Sequence, residues 1–387
     1  MEKTYRTNVT CTELEKLMRE DKMKRVFFNL IFKLTLPFQF LNRTPVLFKG
    51  KNIQVVNFGF FAAFEGVIIS VIFYYYLYLK GIPLDSKLFF ASMFIVLLIW
   101  AGARIFHLIA SYKDLFSNPR KVLFQTGFYV QGGIIGGFIG CILIKKWTDI
   151  NLVVALDGLT WGALLGQFFG RLGCYNYGCC YGKVTNHKHG VIYNNTDAKV
   201  LRWRPDLKNI PLHPSQIYTA LLHLTFFFIF LFLIRSGIPD GVIMVSFLFY
   251  HGLSRIILEN IREDLIVAKN KKKFFTQNTA YLTILAGIII LLTGKFITTN
   301  FLVKTPFIND LSFVSFAELF SMFPLIYIIL SLTFTFLFLS YGIHGKILGT
   351  FPGYVEKIEI DGDRHDENFN NRFGTLRGRN SKHFKRA

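Results

Sequence analysis

The sequence is short of charge: only 18% of its 387 residues are Asp, Glu, Lys or Arg. An ordinary soluble domain carries about 25%, so a conventional soluble protein is excluded. Acid is scarcer still, with 24 Asp and Glu against 44 Lys and Arg, a formal net charge of +20. On a soluble chain that excess points to nucleic acid; on a membrane chain it points to anionic headgroups, and no nucleic-acid partner is expected. Cysteine is sparse and odd in number (Cys11, Cys141, Cys174, Cys179, Cys180), which excludes a secreted disulfide framework. A secretory signal is also missing: residues 1–25 are polar and no small-residue cleavage site follows the apolar run after them. Export of the mature chain is not expected.

What is present is apolar: 52% of the residues are hydrophobic and 17% aromatic. They fall in blocks of about 17 to 24 residues, each long enough to cross a ~30 Å hydrocarbon layer as a helix. The spans read as 56–79, 88–110, 127–144, 152–170, 214–234, 241–261, 279–299 and 323–343. The expected fold is therefore an all-α polytopic membrane protein of about eight transmembrane helices, with a long loop, residues 171–213, between spans four and five. Four regions follow: a basic N-terminal segment (1–55), a transmembrane core (56–299), an extra span (300–349) and a basic tail (350–387) expected to be disordered. Within the first, Met23 to Leu41 mixes Phe and Leu with Lys24, Arg25, Lys33 and a central Pro37. It reads as an interfacial helix on anionic lipid in preference to a ninth span. Glycines recur every fourth residue at Gly132, Gly136 and Gly140, and again at Gly158, Gly162, Gly166 and Gly170. Such ladders predict close helix packing, with a groove for a lipid chain as the alternative.

Ionisable residues inside hydrocarbon cost several kcal/mol, so each is a site candidate: Glu65, Arg104, His107, Asp157, Arg255 and Glu259. His251, Arg255, Glu259 and Arg262 form a polar stripe down the sixth span. The stripe is either a structural ion pair or a binding site. Two arginines share it with one carboxylate while Arg171 stands at the mouth of the long loop, and surplus guanidinium invites an anion, above all a phosphate ester.

The loop opens as Gly-Arg-Leu-Gly-Cys-Tyr-Asn-Tyr-Gly-Cys-Cys-Tyr-Gly, Gly170 to Gly182, whose glycines would let backbone N–H groups turn toward an oxyanion. At its far end His213-Pro214-Ser215-Gln216 reads as a helix start, where Ser215 and Gln216 either cap the helix or meet an anion. Cys174, Cys179 and Cys180 have His187, His189 and His213 nearby. The Cys-x4-Cys-Cys spacing is not a usual tetrahedral pattern, so no metal and no cofactor are expected. The thiols read as buried small hydrophobes, with a disulfide or a zinc site as alternatives.

In order, these segments resemble the prolipoprotein diacylglyceryl transferase family of bacterial inner membranes. GRLGCYNYGCCYG is similar to its signature G-R-x-G-N-F-x-N-G-E-x-x-G, and HPSQIY at His213 to its H-P-[ST]-Q-L-Y. GLSRIILENIRED after His251 is similar to Y-G-x-x-R-x-x-x-E-x-x-R, FYVQGGIIGG to F-H-G-G-x-x-G, and GAR at Gly102 to a second-span motif that includes Arg104. The similarity covers roughly Val56 to Asp264. It implies transfer of the diacylglyceryl group of phosphatidylglycerol to a lipobox cysteine of a prolipoprotein, with loss of glycerol phosphate. It also implies that Arg171 and Arg255 hold the phosphate and that Glu259 orients Arg255. Substrate contacts are expected from Gln131, Ser215, Gln216 and Arg104.

The chain departs from the pattern at Gln131, where the family has His, and at Cys174, Tyr177 and Cys179, where it has Asn, Asn and Glu. Glutamine cannot serve as a base, so His251 and then His213 are the candidates. Sidedness is divided. The face opposite the long loop holds only Lys80, Lys87, Lys145, Lys146, Arg235, Lys295 and Lys304, which puts the loop in the cytoplasm by the positive-inside rule, whereas the resemblance puts the catalytic face outside. Rival readings keep the lipid donor with another acceptor, or make the chain a lipid or anion transporter; no inverted repeat supports the latter.

Overall fold

The computed structural model describes residues 33–50, 53–117, 119–124, 127–185, 190–262, 271–297 and 301–345. All lie in one compact unit, Met1–Pro352; a second unit, Gly353–Ala387, contains most of the tail and lies outside the described residues, as do His187 and His189. The helices are α1 (Asn57–Leu79), α2 (Ser86–Ala110), α3 (Tyr112–Ser117), α4 (Pro119–Phe124), α5 (Val130–Thr148), α6 (Leu152–Tyr177), α7 (Lys199–Trp203), α8 (Ser215–Arg235), α9 (Val242–Glu259), α10 (Lys271–Ile297), α11 (Phe313–Met322) and α12 (Leu325–Gly342). Eight of them are long and apolar enough to cross a membrane, and they coincide with the eight spans read from hydropathy. Capping sets several ends. Asp85 accepts from the Leu88 N–H at the start of α2 (2.8 Å), and Asn151 from Val153 at the start of α6 (2.9 Å).

The fourth span outruns its expected end. α6 continues through Arg171 to Tyr177 and stops where Gly178 takes a left-handed conformation, φ 75°, with its N–H on the Cys174 carbonyl. The stretch expected to open a glycine-rich loop is thus mostly helix. Gly170 and Gly173 lie against α1: a Cβ at Gly170 would land on the Glu65 carboxylate, and one at Gly173 would stand 2.6 Å from Phe61 Cβ. They serve close approach, and the backbone there is not free to turn toward an anion.

The glycine ladders are packing seams. Gly158, Gly162 and Gly166 of α6 meet Tyr76, Ile69 and Glu65 of α1, with a Cβ at Gly162 only 2.6 Å from the Ile69 carbonyl. Gly132, Gly136 and Gly140 of α5 meet Gly102, Leu98 and Ile95 of α2 in the same way. A Cβ at Gly136 collides with backbone, whereas one at Gly133 makes ordinary contacts, the nearest with Ile99 Cγ2 at 3.5 Å. Gly136→Ala is therefore expected to lower stability by roughly 1–3 kcal/mol, while Gly133→Ala stays within about 0.5 kcal/mol, as unfolding in detergent will report.

Asp157, flagged as a charge in the membrane, has a structural task. It accepts from the backbone N–H of Gly241 (2.6 Å) and Met244 (2.9 Å), capping α9 from a neighbouring helix. Strands β1 (Val46–Lys49), β2 (Ile53–Val56) and β3 (Ile343–Gly345) form an antiparallel sheet in that order. It joins the segment before α1 to the segment after α12. The proposed interfacial helix is described only from Lys33 onward, where Leu36–Arg43 is a 3-10 helix with Leu36 and Phe40 exposed. The long loop is itself folded: Tyr181, Val191, Tyr193, Leu201, Leu207 and Leu212 make a second core with Leu172, Tyr175 and Ile217. This cap sits over the α6 and α8 ends and positions the site.

Candidate functional site

The polar stripe of α9 holds together as its spacing predicts. Glu259, buried, accepts through one oxygen from Arg255 (3.3 Å, one turn back) and from Arg262 (3.0 Å, just past the helix end). The cap fixes this end of α9, because Lys183 N–H donates to the Ile261 carbonyl (2.8 Å) and Gly182 bridges Arg262. Arg171 reaches the same place from α6. Its electrostatic neighbours include Cys174, Cys180, Arg262 and Glu65, and it acts on Arg255 and His251 as well. Arg171 is 6% exposed and has no hydrogen bond or ion pair of its own among the described residues. Three guanidinium groups are thus electrostatic neighbours here, and Glu259 is salt-bridged to two of them. Glu65 is already engaged by a hydrogen bond from Gln167.

His251 is buried with its ring stacked on Phe247 (5.5 Å between centroids), and its Nε2 has no hydrogen-bond partner among the described residues. His213 sits in the cap: its backbone pairs with Lys183 and Gly182, and its Nδ1 is 3.2 Å from the Tyr218 hydroxyl. His223 is a further ionisable residue within an apolar span, and that position is its signal in the sequence. It is buried beside His251, Arg255 and Arg171, with Nδ1 3.1 Å from the Tyr250 hydroxyl.

Ser215 and Gln216 grip the chain that leaves α6. Ser215 Oγ donates to the Cys180 carbonyl (2.6 Å) and Gln216 Nε2 to the Cys179 carbonyl (2.7 Å). Arg104 donates to the carbonyls of Val122, Leu123 and Gly127 and lies over the Phe128 ring, so it shapes the approach to α5. Gln131 follows in the first turn of α5, buried, with Nε2 lacking a partner among the described residues.

The three cysteines meet. Cys174, Cys179 and Cys180 are free thiols, half-buried, with sulfurs all within 4.8 Å of one another. The Cys180 thiol is held well below its ordinary range, first because Cys174 and Cys179 hydrogen-bond to it, then because the Arg262 and Arg171 guanidiniums face it against the opposing effect of burial. The Cys179 thiol is pushed well above that range by its hydrogen bonds to the other two and by burial.

A cluster of cation at the head of a glycine-packed helical bundle is the setting in which the comparisons fall. The family model for prolipoprotein diacylglyceryl transferase matches residues 45–293. The chain belongs to this family. Among its relatives, the phosphatidylglycerol–prolipoprotein diacylglyceryl transferase of Clostridium tetani (strain Massachusetts / E88) is 30% identical over 223 residues, 57% of this chain and 86% of that one. The protein of the same name from Dehalococcoides mccartyi (strain ATCC BAA-2266 / KCTC 15142 / 195) is 27% identical over 225 residues, 57% of this chain and 83% of that one. Phosphatidylglycerol–prolipoprotein diacylglyceryl transferase 2 of Clostridium perfringens (strain 13 / Type A) is 29% identical over 185 residues, 46% of this chain and 68% of that one. The prolipoprotein diacylglyceryl transferase match ends inside α10, so α11, α12 and β3 lie beyond it.

Proposed function

We propose that this chain is a transferase of bacterial inner membranes that moves the diacylglyceryl group of phosphatidylglycerol to the thiol of a lipobox cysteine in a prolipoprotein. One observation carries the reading: Arg171 is buried with no hydrogen bond or ion pair among the described residues and has Arg255 and Arg262 as electrostatic neighbours. A buried guanidinium with no hydrogen bond or ion pair has its donors unused, and a phosphodiester can take them in parallel pairs. In the transfer, the acceptor sulfur attacks the glycerol carbon that bears the phosphate ester, and the C–O bond breaks toward phosphate. Charge grows on the departing glycerol phosphate. Arg171 and Arg255 are placed to take it up, and Glu259 fixes the Arg255 side chain in the orientation that does so.

A second reading, the same donor with another acceptor, is favoured by Gln131, Cys174 and Cys179 at positions where the family carries His, Asn and Glu. Purified protein given labelled phosphatidylglycerol and a lipobox peptide separates the readings. Labelled thioether is the expected product; glycerol phosphate released without it would shift the assignment to another acceptor. Release of neither would move it to transport.

A further inference from the structure

We infer that Cys174, Cys179 and Cys180 form a three-sulfur seat for a thiophilic divalent cation, zinc by its ligand set, whose fourth position takes the sulfur of the acceptor. The inference rests on the proposed transfer and names how the acceptor is activated. The spacing in sequence is not that of a usual zinc motif, and the helix end explains why. α6 closes at Gly178, the Cys179 N–H returns to the Cys174 carbonyl (3.1 Å), and Cys180 then turns through a left-handed backbone, φ 57°. A left-handed conformation is unfavourable for a residue with a Cβ, and here Gln216 and Ser215 clamp the carbonyls on either side of it. The clamp puts three sulfurs within 4.8 Å of one another. Sulfurs bound tetrahedrally at about 2.3 Å stand roughly 3.8 Å apart, so small side-chain rotations complete the site.

Charge and access agree with this. Three thiolates around a divalent cation carry a net negative charge, and the guanidiniums of Arg171, Arg255 and Arg262 are all electrostatic neighbours of Cys180. Unlike Cys141, which is fully enclosed in the main core, the three cysteines are only partly buried, so a fourth ligand can come from outside the cluster. Zinc sites with three protein ligands and an open position are the catalytic kind. A thiol that enters that position is deprotonated by coordination, which removes the need for the base that Gln131 cannot provide. The acceptor's S–H proton leaves to water. The metal-bound sulfur then forms its bond to the glycerol carbon while the C–O pair departs on the phosphate held by Arg171 and Arg255. The product is a neutral thioether, a poorer ligand than the thiolate, and it can dissociate.

The test uses the full chain in detergent, stripped of metal and titrated with Co²⁺. One cobalt per chain is expected, with thiolate-to-cobalt charge-transfer absorption and the visible bands of a tetrahedral site, displaced by Zn²⁺. Cys174→Ser, Cys179→Ser and Cys180→Ser should each weaken cobalt binding by at least about tenfold, since even outer-sphere changes at such sites cost that much. Cys141→Ala should leave it unchanged, and it controls for loss of a cysteine as such. A lipobox peptide should shift the visible bands and its serine analogue should not. Cobalt absorption that persists when all three cysteines are replaced would overturn the inference. Full-rate transfer by the metal-free protein would also overturn it while leaving the transferase reading intact. Cobalt bands that respond to the peptide, in a protein that releases no glycerol phosphate from phosphatidylglycerol, would support the metal seat and remove the transferase reading.

Discussion

Replacing Arg171 with alanine is expected to lower kcat/KM for diacylglyceryl transfer by at least about 10²–10³-fold, the usual cost of removing one preorganised donor from a developing anion. The protein should lose this activity without losing stability. Arg171 forms no hydrogen bond or ion pair among the described residues, so alanine removes no direct contact, and it relieves the repulsion from Arg255 and Arg262. The alanine protein should therefore unfold at no lower a temperature than the parent, a pattern of function held at the expense of stability. Arg171→Lys should recover only part of the rate, because an ammonium keeps the charge but cannot donate two parallel hydrogen bonds to phosphoryl oxygens. Arg255→Ala should fall as far, and it additionally removes one of the guanidiniums salt-bridged to Glu259. Glycerol phosphate release from phosphatidylglycerol vesicles measures all three. Wild-type turnover in the Arg171→Ala protein would end the phosphate-clamp account.

The largest expected loss of stability lies far from this site, at the end of α1. Lys80 Nζ donates to Asp240 (2.8 Å), to the Thr305 hydroxyl (2.9 Å) and to the Thr305 carbonyl (3.1 Å), and the Thr305 hydroxyl donates in turn to the other Asp240 oxygen (2.6 Å). The side chains of the pair are 3% and 0% exposed, with the ammonium 3.9 Å from the centre of the Phe307 ring. Lys80→Met keeps most of the stem and strands a buried carboxylate. It should cost about 3–5 kcal/mol in unfolding measured in detergent. Adding Asp240→Asn to the same protein should recover much of that loss, since the amide leaves no uncompensated charge. If the single variant melts with the parent, the network is not what fastens α1 to the α8–α9 turn and the segment before α11.

How much of this was readable from the chain alone differs by level. The spans were, because a helix that must cross hydrocarbon announces itself by length and by lack of charge. The polar stripe was too, since Arg255, Glu259 and Arg262 are neighbours on one helix end. The end of α6 was not: Gly170 and Gly173 look like turn residues, and only the presence of Glu65 and Phe61 across the seam makes them packing residues. The meeting of Arg171 with α9 is a tertiary fact that surplus cation could suggest but not locate. The sulfur cluster was hidden for a related reason, because spacing rules assume a loop, whereas here a helix terminus folds Cys179 and Cys180 back over Cys174. Likewise Asp157 reads as a buried charge until the N–H groups of α9 that it caps are in view.

The partnership of α1 with α12 bears on how the protein is made. Gly59 lies against Gly342, Gly66 against Leu337, and β2 against β3, so one side of the earliest span is completed by the last described stretch of chain. At about 5–20 residues per second, the ribosome needs on the order of tens of seconds to deliver α12 after α1 has entered the bilayer. During that interval the bare side of α1 faces lipid or whatever insertion factor escorts it. A ribosome stalled before α12 would leave β2 paired with β1 alone, its other edge open.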